Sequence, residues 1–236
     1  MCISKDRDRE GKLINRLHSL FHKPEKGWDP IPADYASRYA EGQWRNLNSA
    51  LVDELEKRID GFGGKRILDL GAGPGQYSVA FARRGAQVTW HDVSRTYQKI
   101  TSKHAADAGI TLNYSLGYLD EAETLIAHPF DLVFTRLAWC YCMNDRAFAE
   151  LLYSLVRPGG AAYIDTNTPA FENIRAFRHF VYFLNDHFGW KIGHPHPPHG
   201  RIATLLHRYA IDFMILDYSS RLNDRIFFVK SKVIGA

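Results

Sequence analysis

The chain has 236 residues, 45% hydrophobic and 24% charged, and its 30 Lys and Arg against 26 Asp and Glu leave a formal net charge of +4. That composition is ordinary for a globular protein and excludes intrinsic disorder, collagen-like repeats and a disulfide-built scaffold. No apolar run approaches the roughly 20 residues that cross a bilayer. Residues 1–10 are charged and carry no apolar h-region, so no secretory leader is expected. Cys2, Cys140 and Cys142 form no C-x-x-C pair, and a reducing, cytoplasmic setting fits them. The one dense charged stretch, Lys5 to Lys12, alternates in sign, which disfavours a nucleic-acid partner.

Taken in chain order, Leu13, Ile14, Leu17, Leu20 and Phe21 form the apolar stripe of a helix. That stripe suits packing on the domain's own sheet edge, a second subunit or a membrane surface. Pro24, Pro30 and Pro32 interrupt it, and residues 34–59 read as helical again. After Gly61-Phe62-Gly63-Gly64 the pattern changes. Short apolar runs at 66–70, 87–91, 111–114, 131–135 and 161–165 alternate with helical stretches at 77–84, 97–108 and 147–156. Strands alternating with helices predict βαβ units and a mainly parallel, doubly wound sheet. A long helical stretch at 171–188 follows, and strands at 211–218 and 226–232 read as an antiparallel hairpin on the sheet edge. The expected organisation is an N-terminal helical lid over 1–60 and a Rossmann-like α/β domain over 61–236, with a His/Pro-rich loop at 189–203.

The most informative stretch is Ile67-Leu68-Asp69-Leu70-Gly71-Ala72-Gly73-Pro74-Gly75-Gln76-Tyr77, a strand running through a glycine turn into a helix. Glycine there permits close backbone approach to a ligand and positive φ, and a helix N-terminus adds N–H groups and a dipole. Asp92, ending the second strand, lies where a carboxylate receives both hydroxyls of a ribose. Asp69, inside the first strand, is costly to bury unless a cation or hydrogen-bond donor meets it. A dinucleotide has no use for Asp69, and Gln76 stands where the dinucleotide fingerprint wants its third glycine.

At these residues the chain resembles the class I S-adenosylmethionine-dependent methyltransferases of small-molecule type. The resemblance also takes in Phe130-Asp131-Leu132-Val133 and Val156-Arg157-Pro158-Gly159-Gly160, and covers residues 66 to about 165 well. It implies a seven-stranded sheet with an antiparallel last strand. It also implies S-adenosylmethionine as cofactor, leaving as S-adenosylhomocysteine. Gly71, Gly73 and Gly75 would let the loop approach the methionyl part, Asp69 would face its amino group and Asp92 would hold the ribose. Ala72, Tyr77, Val93, Leu119 and Thr135 complete the expected cofactor shell. Family members often read Gly-Asp after the third strand; here the pair is Gly117-Tyr118, with Asp120 two residues on as a substitute carboxylate. An aromatic N-terminal segment often folds over the cofactor, and Tyr39 is the residue expected to do so here.

The acceptor side is less explicit. The N/D-P-P-Y/F/W tetrad of nucleobase N-methylation is absent after the fourth strand. So is the acid and Asp-Asn pattern of metal-dependent catechol enzymes, and no metal is expected. Arg136 reads either as a clamp for an anionic substrate group or as a structural salt bridge. Cys140 and Cys142 read as core packing. In Gly193-His194-Pro195-His196-Pro197-Pro198-His199-Gly200-Arg201 one histidine can serve as general base for a hydroxyl, with His199 preferred and His196 second. A zinc site and a plain surface loop are the competing readings. The leading expectation is methylation of a small molecule, oxygen favoured. The alternatives are a non-methylating cofactor-binding module, an RNA methyltransferase and, weakest, an NAD-dependent reductase. A homo-oligomer is compatible with all of them.

Overall fold

The computed structural model describes residues 21–127, 129–166, 175–191, 193–219 and 224–232. The Leu13–Phe21 stripe therefore lies outside it except for Phe21, as do the first residues of the 171–188 helical stretch.

Seven strands form one sheet in the order β3-β2-β1-β4-β5-β7-β6. They are β1 (Arg66–Leu70), β2 (Gln87–Asp92), β3 (Asn113–Leu116), β4 (Phe130–Arg136), β5 (Val156–Asp165), β6 (Ile211–Asp217) and β7 (Arg225–Lys230). The first five are parallel, while β7 runs antiparallel to both β5 and β6. The expected hairpin on the sheet edge is thus present, with β7 inserted next to β5.

Residues alternate between two cores across the sheet, because each strand is covered on both faces. Leu68, Leu70, Val133, Ile164 and Phe228 join one core; Ile67, Val88, Leu132 and Phe134 join the other. The helices are α1 (Ala33–Arg45), α2 (Ser49–Arg58), α3 (Gln76–Arg83), α4 (Arg95–Asp107), α5 (Ala122–Leu125), α6 (Asp145–Leu155), α7 (Arg175–Phe188) and α8 (Arg201–Leu206). Among the described residues no helix is long and apolar enough to cross a membrane.

One expected element splits. The helical stretch over 34–59 is two helices, because asparagines stop the first and start the second. Asn46 Nδ2 donates to the Gly42 carbonyl at 2.9 Å, and Asn48 Oδ1 accepts the Leu51 N–H at 3.0 Å. Side chains that satisfy helix-end groups make a break cheaper than continuation.

The position that matters for function follows from topology. The strand β1 pairs with β2 on one side and β4 on the other, so the connections leave it in opposite directions. A crevice opens there, beyond the carboxyl ends of the parallel strands, where open α/β sheets place ligands.

Candidate active site

A cavity of about 570 Å³ fills that crevice, within the roughly 300–1,000 Å³ range of small-molecule sites. Its floor is the glycine turn after β1. The turn is held from every side: Gly71 and Ala72 N–H donate to the His91 carbonyl at 2.9 and 3.1 Å. The Gly73 N–H donates to Asp92 Oδ2 at 2.9 Å, and the Gly75 N–H to the Ala72 carbonyl at 3.1 Å. Indole N–H groups of Trp90 and Trp44 reach the Gly73 and Pro74 carbonyls, both at 3.0 Å. The N–H groups of the turn itself are therefore spent inside the protein, which leaves a pyrophosphate fewer donors than a dinucleotide loop offers.

The three glycines have different reasons to be glycine. A Cβ on Gly73 would meet nothing within 4 Å, so this residue opens onto the cavity, at φ +52°. A Cβ on Gly71 would collide with the Ala138 Cβ. Gly75 is not on the cavity wall, against expectation; its φ is +74°, and a Cβ would strike Thr101 of α4. It seats the loop on a neighbouring helix instead of approaching a ligand.

Two carboxylates face the cavity. Asp69 is buried and accepts the Ser78 hydroxyl at 2.6 Å. Burial pushes it up to about 7, with the Ser78 bond opposing, and no cation pairs with it among the described residues. Asp92 takes the Gly73 N–H on one oxygen and the Ser94 N–H, at 2.9 Å, on the other. Burial raises it to about 6, against the pull of those N–H groups. Each oxygen of Asp92 keeps a lone pair for an incoming donor. Two further polar atoms of lining residues, Gln76 Oε1 and the Tyr77 hydroxyl, are buried without a hydrogen bond. An uncompensated carboxylate, unspent acceptors and an open glycine fit an ammonium-bearing nucleoside.

Ala72, Val93, Leu119, Tyr118, Tyr39, Tyr77 and Arg136 also line the cavity. Thr135 does not. It is buried and alternates to the other face of β4 from Phe134 and Arg136. Tyr118 is a wall, its ring stacked 5.9 Å from Trp28 and its hydroxyl donating to the His22 carbonyl at 2.7 Å. Asp120 is no substitute carboxylate for the cavity; it turns away and accepts the Met143 N–H at 3.3 Å.

The histidine expectation needs the largest correction. His199 does not line the cavity: its Nδ1 bonds Asp224, whose other oxygen accepts the Gly200 N–H at 2.8 Å. His196 is also off the wall, and burial lowers its affinity for a proton. His194 is the histidine on the wall, 5.0 Å from the Tyr141 ring. A buried charge cluster fixes the segment that presents it. Lys191 Nζ and Arg201 Nε hold Asp145 at 3.1 and 2.7 Å, and the Tyr182 hydroxyl donates to the Pro195 carbonyl at 2.9 Å. Burial pushes Asp145 up, but Lys191 and Arg201 outweigh it and keep the carboxyl below the usual range.

Sequence reasoning also missed Asp29. Its carboxylate caps α4, accepting the Thr96 N–H at 2.8 Å and the Ser94 hydroxyl at 3.2 Å. This capping brings Trp28, Pro30 and Ile31 onto the cavity wall. An Asp between two structure-breaking stretches was the available signal.

Residues 67–160 match the family model described as a methyltransferase domain. The chain carries a class I S-adenosylmethionine-dependent methyltransferase domain. The ubiquinone biosynthesis O-methyltransferase of Aeromonas salmonicida (strain A449) is 32% identical to this chain over 136 residues, 56% of this chain and 57% of that one. The protein of the same description from Xylella fastidiosa (strain 9a5c) is 25% identical over 159 residues, 64% of each chain. The chain thus matches about three fifths of the length of these curated relatives. Among solved structures, the magnesium protoporphyrin IX methyltransferase of Synechocystis PCC 6803 with bound S-adenosylhomocysteine superposes with a TM-score of 0.56 at 15% identity. That overlap covers 80% of this chain and 84% of the other. The [4+2]-cyclase SpnF gives 0.57 at 16%, covering 77% and 80%. These two establish the fold of the methyltransferase domain and nothing finer.

Proposed function

We propose that this protein transfers the methyl group of S-adenosylmethionine to a hydroxyl of a small organic acceptor. One observation carries the reading: Asp69 and Asp92 face one cavity from either side of a glycine turn whose own N–H groups are already used. When bound, the cofactor supplies an activated methyl on a sulfonium. Asp69 receives its ammonium and Asp92 its ribose diol, while Gly71 and Gly73 give the backbone room. Tyr118, stiffened by Trp28, and Leu119 flank the base.

The other end of the cavity is the acceptor's. To it we assign Tyr35, Tyr39, Gln43, Tyr77, Arg136, Tyr141, Met143 and His194 of the cavity's lining. Tyr35 and Tyr39 stack at 5.9 Å and 13° on α1, and together with residues 28–31 they exclude water, which is the lid role assigned to residues 1–60. Alignment and exclusion of water account for most of such a transfer, and a hydroxyl further needs a base. His194 takes that proton. The relatives' printed description as O-methyltransferases supports oxygen as the acceptor atom.

A non-methylating binding module is the second reading, favoured by the cyclase among proteins of this fold. Two measurements decide. Calorimetry should show S-adenosylhomocysteine binding to the wild type, and methyl-labelled S-adenosylmethionine should label a component of a small-molecule extract. Binding without any labelling would leave the module; no binding would end both readings.

A further inference from the structure

Among the described residues that line the cavity, Arg136 is the strong cation. Arg136 ends β4 and spends only its Nε on a partner, Asp165 Oδ2, at 3.1 Å. Its two Nη groups make no hydrogen bond among the described residues, and its guanidinium carbon lies 5.6 Å from the Tyr77 ring centroid. A guanidinium held by its Nε and by a ring face is fixed in orientation. The remaining N–H groups then form a planar fork that matches a carboxylate.

Position separates this fork from the cofactor's end. The β1–β4 register sets Asp69 opposite Phe134, so Arg136 lies two residues further out along the strand. The β4–β5 register sets it opposite Asp165, and the side chain leans to that strand, away from the turn after β1. Asp165 already offsets part of the charge, which suits a monoanion such as a carboxylate better than a dianionic phosphate. Beside the Tyr77 ring, the rings of Tyr141, His194 and the Tyr35–Tyr39 pair line the same cavity. Flat faces of that kind accommodate a planar aromatic body.

Resting on the reading of the cavity as a methyl-transfer site, we infer that the acceptor is an aromatic hydroxy acid. Its ring lies among the tyrosines, its carboxylate engages the Arg136 fork and its hydroxyl is turned to His194. Arg136 is then the specificity-determining residue.

The test uses full-length protein saturated with S-adenosylhomocysteine and a matched panel. Mono- and dihydroxybenzoates are titrated against the benzyl alcohols of the same ring pattern. Carboxylates should bind at least tenfold tighter than their alcohols. Arg136→Met should abolish that preference while leaving S-adenosylhomocysteine affinity within about threefold; Arg136→Lys, which keeps charge but not the fork, should retain part of it. Equal binding of acid and alcohol by the wild type, or no binding of any member, overturns the inference. So does a tenfold loss of S-adenosylhomocysteine affinity in Arg136→Met, which would assign the arginine to the methionyl carboxylate. Failure of the wild type to bind S-adenosylhomocysteine at all strikes the underlying reading instead. The wild-type comparison of acid with alcohol stands even if the Met variant folds poorly.

Discussion

The two ends of the cavity are built on opposite plans. The proposed cofactor end is built mostly on one short stretch, residues 69–73, with Asp92, Tyr118 and Leu119 beside it, and its turn is locked by backbone hydrogen bonds. The proposed acceptor end draws single side chains from α1, α3, the end of β4 and the segment after it, and the loop before α8, and contacts between residues far apart in sequence bring them together. A locally encoded site tolerates little change at any of its atoms. A converged site can change residue by residue without disturbing the other end.

The largest expected break in that contrast is Asp92→Ala. It removes the acceptor of two ribose hydroxyls and leaves the Gly73 and Ser94 N–H groups without their partner. Hydrogen bonds to charged groups contribute about 1.5–3 kcal/mol each, so S-adenosylhomocysteine affinity should fall on the order of 100-fold by calorimetry. His194→Ala should leave that affinity unchanged while lowering kcat by about 100-fold near pH 7. If both variants weaken cofactor binding equally, the division between the ends is wrong.

Next comes pH. Asp69 titrates at about 7 and Asp92 at about 6 in the ligand-free protein. An ammonium needs the ionised form, so affinity should fall about tenfold between pH 8 and pH 6, and Asp69→Asn should flatten the profile. Stability moves the other way. A carboxyl whose folded pKa is raised above 3.8 loses its contribution as pH rises through about 7. Asp69→Asn should therefore raise the Tm of the ligand-free protein at pH 8, measured by scanning calorimetry.

The glycines give a smaller, opposed pair. Gly75→Ala should lower Tm by roughly 5–15 °C, because left-handed backbone and the clash with Thr101 cost about 2–4 kcal/mol together. Gly73→Ala should be milder for Tm and worse for cofactor affinity. Smallest of all, His199→Ala should change kcat less than twofold, since the imidazole is engaged with Asp224 off the cavity. A tenfold loss there would restore the original reading of that loop.

This division also explains what could be read in advance. The strand positions, the mainly parallel sheet, the edge hairpin and the interest of Asp69 and Asp92 follow from periodicity and from short motifs whose geometry is local. The positions of Gly75, Asp120 and His199 off the cavity wall depend on distant partners, Thr101, Met143 and Asp224, whereas that of Thr135 follows from simple alternation along β4. His194 could not be told from its two neighbours, since Lys191, Arg201 and Asp145 together decide which imidazole faces inward. Asp29 stood out only as an acid between two structure-breaking stretches, and its partner, the N-terminus of α4, is distant in sequence.

That last residue has a consequence for the acid at the nucleoside end. Ser94 gives its hydroxyl to Asp29 and its N–H to Asp92, so one serine joins the outer segment to the ribose acid. Asp29 is also a negative neighbour that raises Asp92. The outer segment and the ionisation of that acid are thereby tied: a change at Asp29 should shift the proton affinity of Asp92 without touching the cavity wall itself.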